Sequence, residues 1–194
     1  NADNPAALSG AMEEAHYVAA ILRNLSTVAR LEAGEQALER GDVDLGAVVE
    51  RSVARHLAIA RQLNVSLESS VPAETLTVVG NVTLLEEAVS NLVHNALRYN
   101  HAGGHVAVVL GTSEAAREGD YWLRVVDDGP GIAPNDLAQL TARAGRSDSA
   151  RERHPDGRGL GLHIVLDVAA RHDLEVSFDK GPEGGLEVTL RPKA

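Results

Sequence analysis

Residues 91–99 have the sequence NLVHNALRY and lie in a strongly helical stretch, residues 84–99. Asn91 and Asn95 are four residues apart, so they share one face of that helix. Asparagine is a poor helix former, and two on one interior face are an odd choice for packing alone. A solvated face or a helix cap is the plain alternative. The pair makes this face of the helix a candidate part of a functional site.

Two glycine-containing segments, DDGPGI at residues 127–132 and GRGLG at residues 157–161, have the chemistry of a nucleotide site. The first follows an apolar run, so its acidic residue ends a strand and its glycines form a turn that a ligand can approach closely. The second opens a predicted helix, where exposed backbone N–H groups suit phosphate. Taken singly, an ordinary turn and a flexible loop are the alternatives. The order and chemistry of all three segments together favour a nucleotide site.

This combination resembles the ATP-binding domain shared by sensor histidine kinases, gyrase-type topoisomerases, heat-shock chaperone ATPases and mismatch-repair ATPases. It is most similar to the sensor histidine kinase branch, whose N, G1 and G2 boxes resemble the three segments in chain order. The resemblance covers the chain from about residue 44 onward. It implies an ATP-dependent protein-histidine kinase that uses ATP and Mg²⁺ and relays the phosphoryl group to a response regulator.

The resemblance also implies roles for the residues of the first two segments. Asn95 is the magnesium ligand, and Asn91 supports the metal and phosphates one turn earlier, where hydrolysing relatives have a glutamate base. Because an amide cannot accept a proton, this favours transfer to a protein nucleophile over hydrolysis. Asp127 is the adenine reader, since a carboxylate accepts from the exocyclic amine of adenine but cannot pair in the same way with the guanine carbonyl. Tyr99 lies against adenine and Arg98 reaches the phosphates, with a core aromatic as the alternative for Tyr99.

The remaining nucleotide contacts implied by the resemblance belong to the glycine segments. They are Gly129, Gly131, Ile132, Gly157, Arg158, Gly159, Leu160 and Gly161. Residues 141–156 are polar and rich in arginine, which predicts a mobile lid. Within it Arg146 joins Asn91 and Arg98 in the predicted catalytic set, as the cation that neutralises the transferring phosphoryl group. A solvated loop is the alternative for most of this stretch.

Three features depart from the family pattern. The segment LAQLTARA at residues 137–144 replaces one that usually bears a phenylalanine, and Leu186 stands where many relatives have threonine, which predicts one fewer hydrogen bond near adenine. The acceptor-histidine segment of the family does not occur, and His16 is predicted to be a helix surface residue. We therefore expect a fragment that begins after the acceptor helix and phosphorylates a histidine outside these residues.

Composition narrows the class of protein. The chain has 44% hydrophobic but only 3% aromatic residues, which predicts an aliphatic core, and it has no cysteine, which excludes disulfides and thiolate metal sites. A net charge of −10 argues against a broad nucleic-acid footprint. No apolar run approaches the length of a membrane span. We expect a cytoplasmic domain, with any inner-membrane anchor of the full-length protein in upstream segments.

Two parts follow one another along the chain. Residues 12–33 have apolar residues at spacings of three and four, which predicts an amphipathic helix. The sequence RLEAG at residues 30–34, followed by VDL at residues 43–45, resembles the end of the second dimerisation helix of a histidine kinase where it leads into the catalytic domain. Residues 1–40 are thus predicted to be a partial dimerisation and histidine-phosphotransfer region, mediating a homodimer, and residues 41–194 the catalytic domain. The alternative is a helix folded back onto its own domain.

The second part alternates helices and strands. Helices are predicted over residues 45–63, 84–99 and 160–171, with Asn81 as the cap of the second. Strands are predicted over residues 65–68, 76–79, 105–110, 121–126, 174–178 and 186–190. This pattern predicts an α/β (α+β) class: a two-layer sandwich of a mixed sheet covered by helices on one face. A nucleotide-binding regulator without catalysis, an anti-sigma-type serine kinase of the same fold and a dimerisation module are the alternative functions.

Overall fold

Helices and strands alternate along the part of the chain that the computed structural model describes, which is residues 39–112, 121–133, 136, 138–139 and 160–193. In order they are β1 (Gly41–Asp44), α1 (Leu45–Leu63), β2 (Ser66–Ser70), β3 (Thr77–Gly80), α2 (Val82–Arg98), β4 (His105–Thr112), β5 (Tyr121–Asp127), α3 (Leu160–Arg171), β6 (Leu174–Lys180) and β7 (Leu186–Pro192). The bounds of α1 and α3 are those predicted, whereas α2 begins two residues and ends one residue earlier.

The main sheet has five strands in the order β2–β4–β5–β7–β6. Strands β2 and β4 are parallel and the other neighbours are antiparallel, so the predicted mixed sheet is confirmed. Strand β3 pairs instead with β1 in a separate two-stranded antiparallel sheet. Strand β1 was not predicted from the sequence, and Val43 is its one buried residue.

The core lies between one face of the main sheet and the helices. Alternate residues of β4 are fully buried, as period-two packing requires, and α2 and α3 supply the facing side chains. Among the most buried are Val93, Leu97, Val106, Val108, Ile164 and Val165. The buried set is dominated by valine, leucine, isoleucine and alanine, which confirms the predicted aliphatic core and the helix-covered sandwich.

Side-chain caps determine where the first two helices begin. Asp44 Oδ1 accepts a hydrogen bond from the Ala47 N–H at 3.2 Å, and Asn81 Oδ1 accepts one from the Leu84 N–H at 3.0 Å. Each satisfies a backbone donor that the first helical turn leaves without an intrahelical partner. The predicted capping role of Asn81 is confirmed.

A histidine joins the beginning of α2 to the end of α3. The Asn81 N–H donates to His172 Nε2 at 3.0 Å, while His172 Nδ1 lies 2.8 Å from the Val168 carbonyl oxygen. Because Nε2 accepts, this arrangement requires the neutral imidazole with its proton on Nδ1. Burial lowers the pKa of His172 and favours the same form. The two helices that carry the asparagine pair and the GRGLG segment are thereby held together at one end.

An ion-pair cluster joins α1 to α2. Arg51 Nε and Arg55 Nη2 each lie 2.6 Å from a carboxylate oxygen of Glu86, whose side chain is 13% exposed. Burial alone raises the pKa of Glu86, but hydrogen bonds and charge from the two arginines outweigh it, and the pKa falls below its usual 4.5. The cluster thus ties α1 to its neighbour α2.

Two predicted features lie outside the described residues: the amphipathic helix at residues 12–33 with His16, and the lid at residues 141–156. Within the part that is described, the helices lack the combination of length and apolar character needed to cross a bilayer.

Candidate functional site

Asn91 and Asn95 lie on one face of α2, which we call the asparagine face. Asn91 is 7% exposed and Asn95 is half-buried. Asn91 Nδ2 donates to the Glu87 carbonyl oxygen at 2.9 Å, one turn earlier in the helix. A solvated face and a helix cap, the plain alternatives for the pair, are therefore wrong for Asn91, which is a buried mid-helix residue.

Asn91 contacts the first turn of α3. A Cβ atom added to Gly161 would lie 2.9 Å from Asn91 Oδ1, closer than real Cβ contacts allow. Gly161 therefore lets the beginning of α3 approach the amide of Asn91. The N-terminal end of this helix, which presents backbone N–H groups, is brought against the asparagine face of α2.

Asp127 is the last residue of β5, as predicted, and its carboxylate is held by two backbone donors. Oδ1 accepts from the Gly129 N–H at 3.0 Å and from the Leu186 N–H at 3.2 Å. Burial raises the pKa of Asp127 above 3.8 and the charge of Asp128 adds to this, while the two N–H donors act in the opposite direction. Both of these hydrogen bonds go to Oδ1, which orients the second oxygen of the carboxylate.

Glycines allow the chain to close around Asp127. A Cβ on Gly185 would collide with the Asp127 carbonyl oxygen and lie 2.6 Å from its Oδ1. Gly131 has φ +68°, and a Cβ there would lie 2.5 Å from the Gly184 carbonyl oxygen. The turn after β5 and the turn between β6 and β7 thus meet at a distance that side chains would prevent. We call the place where these two turns meet beside Asp127 the Asp127 corner.

Leu186 has a role that its side chain did not suggest. From the sequence, one fewer hydrogen bond near adenine is expected, because many relatives have threonine at this position. In the structure the Leu186 backbone N–H donates to Asp127. The main chain thus supplies a contact to the carboxylate whatever the side chain.

The end of α2 presents Arg98 and Tyr99 at the surface. Tyr99 is 57% exposed, and the Arg98 guanidinium lies 5.9 Å from its ring centroid. A core aromatic, the alternative considered for Tyr99, is therefore wrong. Both residues follow Asn95 by no more than about one helical turn.

Several predicted site residues lie outside the described part of the chain, namely Arg146, Gly157, Arg158 and Gly159. Leu160 is described as the first residue of α3, without its side chain. The structure brings Asn91 against the beginning of α3, and it brings Gly129, in the turn after Asp127, against the backbone at the end of α2. The roles of individual side chains toward a ligand stay predictions.

One feature of this region was missed from sequence. Asp128, the second acid of DDGPGI, accepts hydrogen bonds from the His105 N–H at 2.6 Å and from Asn100 Nδ2 at 3.0 Å. The adjacent pair of aspartates was the available signal, because one carboxylate at the end of a strand suffices for a ligand. The partners of Asp128 lie more than 20 residues away in sequence, at positions that no motif marked.

Comparison with known proteins gives a consistent family. Residues 80–194 match the family described as histidine kinase-, DNA gyrase B-, and HSP90-like ATPase. The sensor-like histidine kinase SenX3 of Mycobacterium tuberculosis is 34% identical over 91% of this chain and 42% of its own length. The sensor histidine kinase CpxA of Escherichia coli is 36% identical over 68% of this chain and 27% of its own length.

A solved structure agrees with this result. The ATP-binding domain of PrrB from Mycobacterium tuberculosis superposes with a TM-score of 0.58 at 25% identity, covering 80% of this chain and 98% of that one. The chain spans less than half the length of the curated relatives just described. The sequence resemblance to a histidine kinase ATP-binding domain is confirmed.

Proposed function

The chain belongs to the family of histidine kinase-, DNA gyrase B-, and HSP90-like ATPases, and from that premise we propose that it binds Mg²⁺-ATP and transfers the γ-phosphoryl group to a histidine outside these residues. The observation that carries the proposal is the Asp127 corner, where one carboxylate oxygen is held by the Gly129 and Leu186 N–H groups. The carboxylate is thus a preorganised hydrogen-bond acceptor, and the turn that follows it lies against the end of α2 at Tyr99 and Asn100.

Asp127 sets the choice of base in this proposal. Its Oδ1 is engaged by the backbone, so Oδ2 is the oxygen that accepts from the exocyclic amine of adenine. Guanine presents a carbonyl at the equivalent position, which would face the carboxylate without a proton between them. The crowded glycines of the corner leave the main chain, rather than side chains, beside the base.

The asparagine face and the beginning of α3 serve the phosphates. Asn95 offers an amide oxygen of the kind that Mg²⁺ accepts, and the half-buried position suits a metal that keeps most of its ligands as water and phosphate. When bound, Mg²⁺ would neutralise charge on the phosphates during transfer. Asn91, packed against Gly161, supports the N-terminal end of α3, whose N–H groups suit phosphate.

The residues favour phosphoryl transfer over hydrolysis. Asn91 stands where hydrolysing relatives have a glutamate base, and its amide is already donating to the Glu87 carbonyl. It cannot take a proton from water. These residues therefore act by positioning and electrostatics, with Arg98 and Arg146 proposed as cations near the transferring group, while the attacking imidazole comes from the acceptor.

Residues 1–40 complete the proposal. We assign them to the dimerisation and histidine-phosphotransfer region, so that the full-length protein is a homodimer that passes the phosphoryl group to a receiver domain in the cytoplasm. The curated relatives support this assignment, since those named above are sensor histidine kinases.

The test is phosphoryl transfer between two polypeptides. The chain is incubated with γ-labelled ATP and a separate polypeptide carrying an acceptor helix with one histidine. We expect label on that histidine, stable to base and labile to acid, and less label when Asp127→Asn, which weakens ATP binding, replaces the parent chain. Glu175→Gln, which alters an exposed ion pair on β6, is the matched control and should transfer normally. ATP binding without any transfer would favour a regulator, and acid-stable label on serine would favour a serine kinase.

A further inference from the structure

Three backbone segments meet beside Asp127, where α2 ends, β4 begins and β5 ends. Asp128 Oδ1 accepts from the His105 N–H at 2.6 Å and from Asn100 Nδ2 at 3.0 Å. The same Asn100 amide nitrogen donates to the His105 carbonyl oxygen at 3.1 Å, and the Asp128 N–H donates to that oxygen at 3.2 Å. Both backbone groups of His105 are therefore held by Asn100 and Asp128.

Glycines allow this close approach. A Cβ on Gly104 would collide with Asn100 Oδ1 and lie 2.9 Å from Asp128 Oδ1. A Cβ on Gly129 would lie 3.3 Å from the Tyr99 carbonyl oxygen and 3.4 Å from the Asn100 Cα. The end of α2 and the turn after β5 thus pack backbone against backbone, with the two polar side chains joining them.

The hydrogen bonds of Asn100, His105 and Asp128 form a network that connects the two ends of the proposed nucleotide site. Asn100 follows Tyr99 directly and lies five residues after Asn95, while Asp128 follows Asp127. We propose that Asn100 and Asp128 are positioning residues that fix the spacing between the phosphate- and metal-binding face of α2 and the base-reading carboxylate of Asp127. This inference rests on the function proposed above, and it assigns neither residue a contact with the nucleotide.

The plain alternative is that the network only stabilises a turn. The two roles differ in what they do to ligands of different length. A ligand that engages both ends of a site gains affinity only if the ends are correctly spaced, whereas a ligand that engages one end does not depend on the spacing. Mg²⁺-ATP engages both ends, and adenosine engages the base end alone. The ratio of their dissociation constants therefore reports spacing.

The experiment measures this ratio by calorimetric or NMR titration for the parent chain and for variants. Asp128→Ala and Asn100→Ala should each reduce the preference for Mg²⁺-ATP over adenosine roughly tenfold, corresponding to about 1.4 kcal/mol. Their adenosine affinity should change little. Asp128→Asn should recover most of the lost preference, because an amide oxygen still accepts from His105 and Asn100. Glu175→Ala is the control for loss of a surface carboxylate.

Every result of this experiment either supports or overturns the positioning role. A reduced ratio in either folded alanine variant, with recovery in Asp128→Asn, supports positioning. Parallel loss of both ligands, or an unchanged ratio, overturns it, as does failure of Asp128→Asn to recover the ratio. If Asp128→Ala does not fold, Asn100→Ala is used for the same ratio. A parent chain that binds neither ligand would overturn the proposed function itself. This result is distinguishable from failure of the positioning role, in which the parent binds both ligands.

Discussion

Gly185→Ala is the substitution that perturbs the Asp127 corner most severely. The added Cβ would collide with the Asp127 carbonyl oxygen and lie 2.6 Å from both its carbonyl carbon and its Oδ1. Two of these atoms are backbone, so no side-chain rotation relieves the contact. Either β5 or the turn before β7 must move, and the Leu186 hydrogen bond to Asp127 is then lost.

The expected cost follows from these two effects. Overpacking against a fixed backbone costs about 1–3 kcal/mol, and a hydrogen bond to a charged acceptor contributes about 1.5–3 kcal/mol. We expect the free energy of unfolding to fall by roughly 3–5 kcal/mol, with ATP affinity falling more than about tenfold because the carboxylate is displaced.

Two other glycines provide controls. Gly103 has φ +85° and open space around its Cβ position, so alanine there meets backbone strain alone, about 1–2 kcal/mol. Gly41 has neither positive φ nor a neighbour within 4 Å, and alanine should change stability by less than about 0.5 kcal/mol. Urea unfolding gives the free energy of unfolding of the three variants, and an unchanged m-value shows that only stability differs among them. Equal stability of Gly185→Ala and Gly41→Ala would refute the close approach at Asp127.

Three further predictions concern ligand binding and pH. Asp127→Asn should weaken ATP and narrow its advantage over GTP, since an amide can donate as well as accept; parallel loss of both nucleotides with lower stability would instead indicate a turn role. Asn95→Ala should abolish the magnesium dependence of ATP binding in titrations with and without the metal, and unchanged affinity would remove Asn95 from the site. Glu86 has a lowered pKa, so the folded state holds fewer protons there and its stabilisation is present above about pH 4.5 and lost as pH falls through its folded pKa. At neutral pH the free energy of unfolding of the parent should exceed that of Glu86→Gln by roughly 1 kcal/mol, a modest difference because both arginines are half-exposed. This difference in stability should vanish in acid.

Local signals were sufficient for most of the fold. The apolar periodicity and the Asn81 cap identify α1 and α2 because such signals act within one or two helical turns, whereas the cap at Asp44 emerged only from the structure. Strand β1 was missed because Gly41–Asp44 contains one buried residue. Its extended conformation comes from pairing with β3, which lies more than 30 residues later.

The candidate site shows the same division. Its principal motifs were visible in the sequence because they place unusual residue types at fixed spacings. The anchoring of Asp127 by the Leu186 N–H spans 59 residues and involves a backbone group, which no side-chain pattern encodes. The burial of Asn91 likewise depends on how α2 packs against α3, which sequence alone leaves open.

The location of Mg²⁺-ATP on the chain is tested most directly by a titration followed through backbone amide resonances. We predict that the amides of Gly129, Gly131 and Leu186, together with those at the end of α2 and the beginning of α3, shift in a saturable and magnesium-dependent way. Amides near Leu174, at the end of β6 that lies farthest from Leu186, should not respond. Saturable shifts centred instead on the cavity between Gly46 and Leu76 at the beginning of α1, with the Asp127 corner unchanged, would contradict the assignment of the nucleotide site.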